Sequence, residues 1–117
     1  MPMTPITADL RVMGVYTPAF RLSDGDLVLC SGIVPVDDDG NTVGVGDAEA
    51  QTRQVLSNMK RLLAAAGAAM SDVAHLRVFS TDMNNRTAIS KVRLEFFEDP
   101  LPASTTWRSS GWSRPNG

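Results

Sequence analysis

The sequence predicts an α+β domain of two layers, in which two helices pack on one face of a mostly antiparallel sheet. Three observations support this prediction. A length of 117 residues fits one domain with a single core. Two stretches repeat apolar residues at helical spacing, and several short β-branched runs are bounded by turn residues. The predicted order is strand, strand, strand, helix, strand, helix, strand, in a single domain over 1–117.

The first third of the chain predicts three strands. They cover Leu10–Tyr16, Ala19–Leu22 and Leu27–Ser31. The "SDGD" turn at Ser23–Asp26 is of the Asp-Gly kind that links the strands of a hairpin. Leu27–Ser31 is a continuous apolar run, which is typical of a buried central strand.

Two amphipathic helices follow. Asp47 predicts the N-cap of the first helix and Gly67 its end. The second helix is predicted over about 87–97, before Asp99-Pro100. The apolar faces predicted for the two helices consist of Val55, Met59, Leu62, Leu63 and Ala66 in the first, and Ile89, Val92 and Phe96 in the second.

The remaining strands are predicted at Val73–Thr81 and at Ala103–Trp112. Alternation in the first of them puts Leu76, Val78 and Ser80 on one face, and His75, Arg77 and Phe79 on the other. Phe79 therefore falls on the sheet face away from the helices. An apolar residue there favours self-association.

Composition excludes several classes of function. A formal net charge of −2 and scattered Lys and Arg residues argue against a nucleic-acid partner. Cys30 is the single cysteine, so no intrachain disulfide is possible. The beginning "MPMTPITADL" does not resemble a signal peptide, and no apolar run approaches the roughly 20 residues that span a bilayer. We therefore expect a cytoplasmic protein without a membrane partner.

Metal and nucleophile motifs are weak. One His and one Cys cannot supply a zinc site, so no metal is expected. The acidic run Asp37–Gly40 lacks the flanking carboxylates of a calcium loop and predicts a solvated turn. His75 and Cys30 are more typical of structural residues than of a base or a nucleophile. Ser31-Gly32 either ends a strand at a turn or presents polar groups to a ligand.

The motifs taken in order resemble the YjgF/RidA family of reactive-intermediate deaminases, also labelled endoribonuclease L-PSP. The matching segments are "VYTPAF", "GDLVLCSGIVPVDDDGNTVG", "DAEAQTRQVLSNMKRLLAAAGAAMSDVAHLRVFSTDM", "FF" and "PAST". The resemblance covers about residues 16–106. It implies a chorismate-mutase-like fold whose sheet faces meet in a homotrimer, with ligand clefts between subunits.

Active members of that family hydrolyse small imines or enamines, such as 2-aminoacrylate, without a metal or organic cofactor. The resemblance therefore implies a metal-free deaminase with a small-molecule metabolite as its partner. The implied catalytic residues are Tyr16, Ser31 and Ser104, and the implied substrate-binding residues are Gly32, Ile33, Ser90 and Thr106. Strand geometry adds Arg108 as a further candidate for substrate binding. RNA cleavage, which the endoribonuclease label suggests, is disfavoured by the acidic balance.

Three departures from the family pattern bear on activity. An arginine in the family's "PARS" segment clamps the substrate carboxylate, and Ser104 stands at that position. Ser90 replaces an asparagine of the second helix, and the sequence given ends at Gly117 without the family's closing glutamate strand. These departures favour an alternative, a non-catalytic metabolite-binding or regulatory trimer. Arg108 points the same way as Ser104 but about 13 Å further along the strand, so it either receives a larger substrate or lies on the surface.

Overall fold

Two helices lie over a pair of parallel strands in a computed structural model that describes residues 3–9, 11 and 14–108. The strands are β1 (Met3–Ile6), β2 (Ala19–Leu22), β3 (His75–Ser80) and β4 (Ala103–Arg108), and the helices are α1 (Ala48–Ala65) and α2 (Arg86–Phe96). Short 3₁₀ turns at Met70–Asp72 and Met83–Asn85 precede β3 and α2. The predicted α+β class is confirmed.

The ends of α1 are set by the two residues that predicted them. The Asp47 carboxylate accepts a hydrogen bond from the Ala50 backbone N–H at 3.0 Å, which is an N-cap contact. At the other end Gly67 adopts a φ of +76°, and the Ala68 N–H donates back to the Leu63 carbonyl at 2.8 Å. This bond closes the last turn in the manner of a Schellman motif, which requires a left-handed residue. The bounds of α1 were therefore predictable from capping chemistry.

Replacing Asp47 with alanine is expected to lower the free energy of unfolding by about 1 kcal/mol, because the Ala50 N–H loses its acceptor. Urea denaturation followed by circular dichroism measures the change. Asp47→Asn is the matched control, since its amide oxygen can still cap the helix. Equal stability of Asp47→Ala and the wild type would contradict the cap.

The core lies between the helices and the inner face of the β3–β4 pair. Its buried members are Leu56, Leu63, Met70, Leu76, Val92 and Phe97. Within α1 the buried residues are Leu56 and Leu63, whereas Leu62 is 48% exposed. Met59 and Leu63 of the predicted face are therefore confirmed, whereas Leu62 and Ala66 are exposed and Leu56, which shares the helical spacing of Met59 and Leu63, is buried instead.

Ion pairs tie α1 to α2 on the solvent side. Arg53 donates from Nε to Glu95 Oε1 at 2.9 Å and from Nη2 to Oε2 at 2.6 Å. Lys91 Nζ reaches Glu49 Oε1 at 3.1 Å. The hydrogen bonds from Arg53 hold the pKa of the Glu95 carboxyl below its usual range. Since these groups are exposed, the pairs orient the helices more than they stabilise them.

The depressed pKa of Glu95 predicts a pH dependence of definite sign. Its contribution to stability is present above its unfolded pKa of about 4.3 and is lost as the pH falls through the lower folded value. Glu95→Gln is expected to show a weaker decline of unfolding free energy in that acidic window than the wild type. Denaturant titrations at several pH values compare the two proteins. Parallel curves over the whole window would contradict the assignment.

The strands differ from the single, mostly antiparallel sheet that the sequence predicts. Among the described residues, β1 pairs antiparallel with β2, and β3 pairs parallel with β4 in a separate sheet. The parallel pair follows from its connection, because a crossover through α2 returns the chain in the same direction. The predicted strand over Leu10–Tyr16 includes residues 10, 12 and 13, which lie outside the described residues, and Arg11 and residues 14–16 are not in a strand.

The predicted central strand at Leu27–Ser31 was wrong. The segment belongs to no strand, and Leu27 and Leu29 are 68% and 83% exposed. Cys30, which a buried strand over Leu27–Ser31 would have placed in the core, is likewise exposed. The Asp-Gly turn before the segment does form, with positive φ at Asp24 and Gly25, but β2 is hydrogen-bonded to β1 instead. An apolar run indicates that a segment is to be buried, but it does not determine which other strand pairs with that segment.

Alternation in β3 is confirmed. Leu76 and Ser80 are buried, Val78 is half-buried, and the three residues between and before them are exposed. Phe79, on the outer face, is 65% exposed. Its neighbour in register on β4 is Trp107, which is 55% exposed. Two aromatic side chains therefore stand side by side on the sheet face that the helices do not cover.

Candidate functional site

The inner face of β4 carries two of the predicted site residues. Ser104 and Thr106 are half-buried and alternate with the exposed Thr105 and Trp107. Ser104 lies opposite Leu76 in the β3–β4 ladder, so its side chain borders the core. A hydroxyl group here lies where α2 packs over the sheet.

Arg93, which the sequence did not single out, reaches Ser104 from α2. Its guanidinium donates from Nη1 to Ser104 Oγ at 3.0 Å and from Nη2 to the Val15 carbonyl at 3.4 Å. Arg93 is only 7% exposed, and its Nε is buried without a hydrogen-bond partner. One buried side chain thus connects α2, β4 and the segment before β2.

Among the described residues, no acid pairs with the charge of Arg93. The ion pairs of the described residues involve Arg53, Arg61 and Lys91. Burial lowers the pKa of the Arg93 guanidinium, although arginine remains charged at neutral pH. Both oxygens that Arg93 contacts are neutral. The site is therefore locally positive within a protein whose net charge is −2.

Tyr16 is held close to this cluster by its two neighbours in the chain. The Val15 carbonyl accepts the bond from Arg93, and the Thr17 N–H donates to the Pro102 carbonyl at 3.2 Å. Thr17 and Pro102 are both buried, so the second bond is sheltered from water. Tyr16, itself half-buried, is thereby fixed between α2 and the residue that precedes β4. The structure brings the predicted Tyr16 and Ser104 into one neighbourhood.

Ser90 also belongs to this neighbourhood. It lies three residues before Arg93 in α2, so the two side chains share one face of the helix. Ser90 is half-buried, as is Thr106 two residues beyond Ser104 on β4. Ser90 and Thr106 therefore lie on the same element faces as Arg93 and Ser104, respectively.

Ser31, Gly32 and Ile33 lie elsewhere in the single chain. Ser31 and Gly32 are exposed and Ile33 is half-buried, in the segment that forms no strand. The chain just beyond them is fixed to α1, because Asn58 Nδ2 donates to the carbonyls of Val34 and Val36 at 3.3 and 2.9 Å. Among the described residues, no hydrogen bond links Ser31 or Gly32 to Arg93.

Arg108 is exposed at the end of β4, opposite Ser80. Its position agrees with the surface alternative, whereas Arg93 is the arginine that contacts Ser104. A signal for Arg93 was present in the sequence. It falls four residues after Ile89 and three before Phe96, so a charge interrupts the apolar face predicted for α2.

Other candidate features carry less chemistry. His75 Nε2 lies 3.1 Å from Thr105 Oγ1 on the outer sheet face. Asp37 Oδ1 accepts from the N–H groups of Asp39 and Asn41, which makes the acidic run a turn. In the described part of the chain, no group of three or more His, Cys, Asp or Glu side chains is placed to hold a metal ion. None of the helices described is long and apolar enough to cross a membrane.

Comparison with known proteins gives one family. Residues 7–111 match the profile of the family described as Endoribonuclease L-PSP. A RutC family protein of Sulfurisphaera tokodaii is 40% identical over 96 residues, which cover 82% of this chain and 75% of the relative. The 3-aminoacrylate deaminase RutC of Acinetobacter baylyi is 40% identical over 88 residues, 75% of this chain and 68% of the relative.

Solved structures show the same fold. YyfB of Yersinia pestis, described as a protein of unknown function of the conserved Rid protein family, superimposes with a TM-score of 0.81 at 26% identity. RidA from a Psychrobacter species superimposes with a TM-score of 0.70, also at 26% identity. Both alignments cover 93% of this chain and 88% of the other chain. These similarities agree with the chorismate-mutase-like fold expected from the sequence.

Proposed function

The chain belongs to the endoribonuclease L-PSP (YjgF/RidA) family, and from this premise we propose that it hydrolyses a small imine or enamine in clefts between subunits. The observation that carries the proposal is the bonding around Arg93. Arg93 donates hydrogen bonds to Ser104 and to the Val15 carbonyl beside Tyr16, so these two segments lie close together. The 40% identity to a protein named as a 3-aminoacrylate deaminase supports the same reaction class.

The proposed reaction is a hydrolysis without a change of oxidation state overall. A water molecule adds to the carbon of the C=N bond in the imine tautomer, the C–N bond then breaks, and ammonia leaves. With 3-aminoacrylate as substrate, the product is the corresponding aldehyde acid. Hydroxyl groups of Tyr16 and Ser104 can orient water and pass protons by hydrogen bonds, and neither a metal nor an organic cofactor is required by this scheme.

Assembly is proposed to complete the site. Phe79 and Trp107 form an exposed aromatic pair on the outer sheet face, and Leu27 and Leu29 are exposed near Ser31. Burying such surfaces against further copies of the chain is favourable, at about 25 cal/mol per Å² of apolar area. In a homotrimer, Ser31, Gly32 and Ile33 of one subunit can face the Arg93 cluster of another. This would explain why one chain alone does not assemble them.

Ammonia release tests the proposal. The purified protein is mixed with 2-aminoacrylate or 3-aminoacrylate that a second enzyme generates continuously, and ammonia is measured against a protein-free blank. We expect faster release with the protein. A rate equal to the blank for both compounds would contradict the deaminase.

A second function is favoured by one observation, namely the serine at the position of the family's carboxylate-binding arginine. The same scaffold would then bind a small metabolite without converting it. Thermal shift measurements with small carboxylates distinguish the two functions when they are run beside the ammonia assay. Stabilisation without any ammonia release supports the binding module, and both signals together support the enzyme.

A further inference from the structure

The guanidinium of Arg93 is a buried cation without an anionic partner among the described residues. More than nine-tenths of the residue is shielded from solvent, and Nε has no acceptor. Burying an unpaired charge and an unbonded donor costs stability, so such groups persist mainly where they have a use. The arrangement therefore calls for an anion from outside the described residues.

The geometry of the guanidinium indicates which anion fits. Nε and Nη2 form one edge of the planar group, and that edge matches the two oxygens of a carboxylate. The same protein shows this pairing at Arg53, whose Nε and Nη2 donate to the two oxygens of Glu95. In Arg93 the corresponding Nε has no partner, and Nη2 makes one long bond of 3.4 Å with one of its two N–H groups. The edge is suited to one carboxylate.

The position of this edge connects it with the proposed reaction. Nη1, on the other side of the group, donates to Ser104, which stands where the family resemblance puts the carboxylate-binding arginine. We propose that Arg93, reaching from α2, binds the substrate carboxylate in place of an arginine on β4. Ser104 is then a positioning residue that orients the guanidinium. This inference deepens the proposed function and rests on it for the identity of the ligand as a substrate.

The test uses pyruvate, a small carboxylate that cannot be deaminated, and pyruvamide, its uncharged amide. In the ¹⁵N-labelled wild-type protein, the Nε–H signals of Arg93 and Arg53 are followed by NMR during titration. We expect pyruvate to shift the Arg93 signal saturably and to leave the Arg53 signal in place, because that edge already holds Glu95. Pyruvamide is expected to shift neither signal. An Arg93 signal that does not respond to pyruvate would overturn the inference.

Variants make the same test quantitative. Arg93→Gln is expected to weaken pyruvate binding about tenfold or more, whereas the exposed control Arg53→Gln keeps wild-type affinity. Wild-type affinity for pyruvate in a folded Arg93→Gln protein would overturn the inference. If Arg93→Gln does not fold, the NMR titration of the wild-type protein is the deciding test. Pyruvate bound at Arg93 without ammonia release supports this site and contradicts the deaminase. Equal ammonia release by the wild type and Arg93→Gln contradicts the binding site at Arg93 but is compatible with the proposed deaminase activity.

Discussion

Arg93→Met is expected to raise the stability of the protein and to abolish most of its activity. The substitution removes a buried, unmatched charge and its unbonded Nε, and methionine fills a similar volume. Replacing a buried ion pair with apolar residues of similar volume is often neutral or stabilises a protein by about 1–4 kcal/mol, and we expect a similar gain for a buried charge that has no partner. The lost bond to Ser104 offsets roughly 1 kcal/mol of that gain. We therefore expect a net increase of about 0–3 kcal/mol in the free energy of unfolding.

The activity of Arg93→Met is expected to fall by about 10²-fold or more. Two charge-assisted hydrogen bonds to a carboxylate are worth at least about 3 kcal/mol together, which corresponds to that factor in kcat/KM. Arg93→Lys keeps the charge without the planar guanidinium group, and its kcat/KM is expected to lie between those of the wild type and Arg93→Met. Urea denaturation gives the free energy of unfolding and the ammonia assay gives kcat/KM, both on the same protein preparations.

Opposite changes in stability and activity distinguish a binding role from a structural one. If Arg93 served only to join α2 to β4, its removal would destabilise the protein and leave the activity of the folded fraction intact. The exposed Arg53→Met is the matched control, since it loses two ion pairs on the surface and is expected to change stability and activity little. A destabilised Arg93→Met protein with wild-type kcat/KM would refute the assignment.

Phe79→Asp is expected to convert the assembly into monomers. Phe79 and Trp107 are adjacent in register and exposed on the face proposed to meet other subunits. A carboxylate in that apolar contact would be buried without a partner in every interface, at a cost of several kcal/mol. Sedimentation equilibrium measures the mass. The same variant is expected to lose ammonia release, because Ser31 and Gly32 would no longer be supplied by a neighbouring subunit.

A matched control for this prediction is Leu62→Asp. Leu62 is also an exposed apolar residue, at 48%, but it lies on α1, away from the outer sheet face. Its replacement is expected to keep the mass and activity of the wild type. A trimeric Phe79→Asp protein, or a monomeric wild type with full activity, would contradict the proposed assembly.

Local chemistry made much of this fold predictable. Asp47 and Gly67 set the ends of α1 through a side-chain cap and a left-handed residue, both of which depend on a few neighbouring positions. Alternation placed Phe79 on the outer face of β3 for the same reason. The strand predicted at Leu27–Ser31 was wrong because strand pairing depends on a partner that is distant in the sequence. Its apolar run indicated only that the segment was to be buried.

The candidate site was predictable to a smaller extent. Tyr16 and Ser104 followed from the family resemblance, and the bonds through Val15 and Pro102 bring their segments together. Arg93 was missed because helical periodicity classified α2 by its apolar residues alone. Only the packing of α2 against β4 shows that the charge points inward and reaches Ser104.

We propose that this protein deaminates a small carboxylate at a site built on Arg93. This proposal is tested most directly by kcat/KM for ammonia release from 3-aminoacrylate, measured side by side for the wild type and Arg93→Gln against a protein-free blank. We expect clear activity above the blank in the wild type and a loss of about 10²-fold in the variant. A wild-type rate equal to the blank, or equal rates for the two proteins, would contradict it.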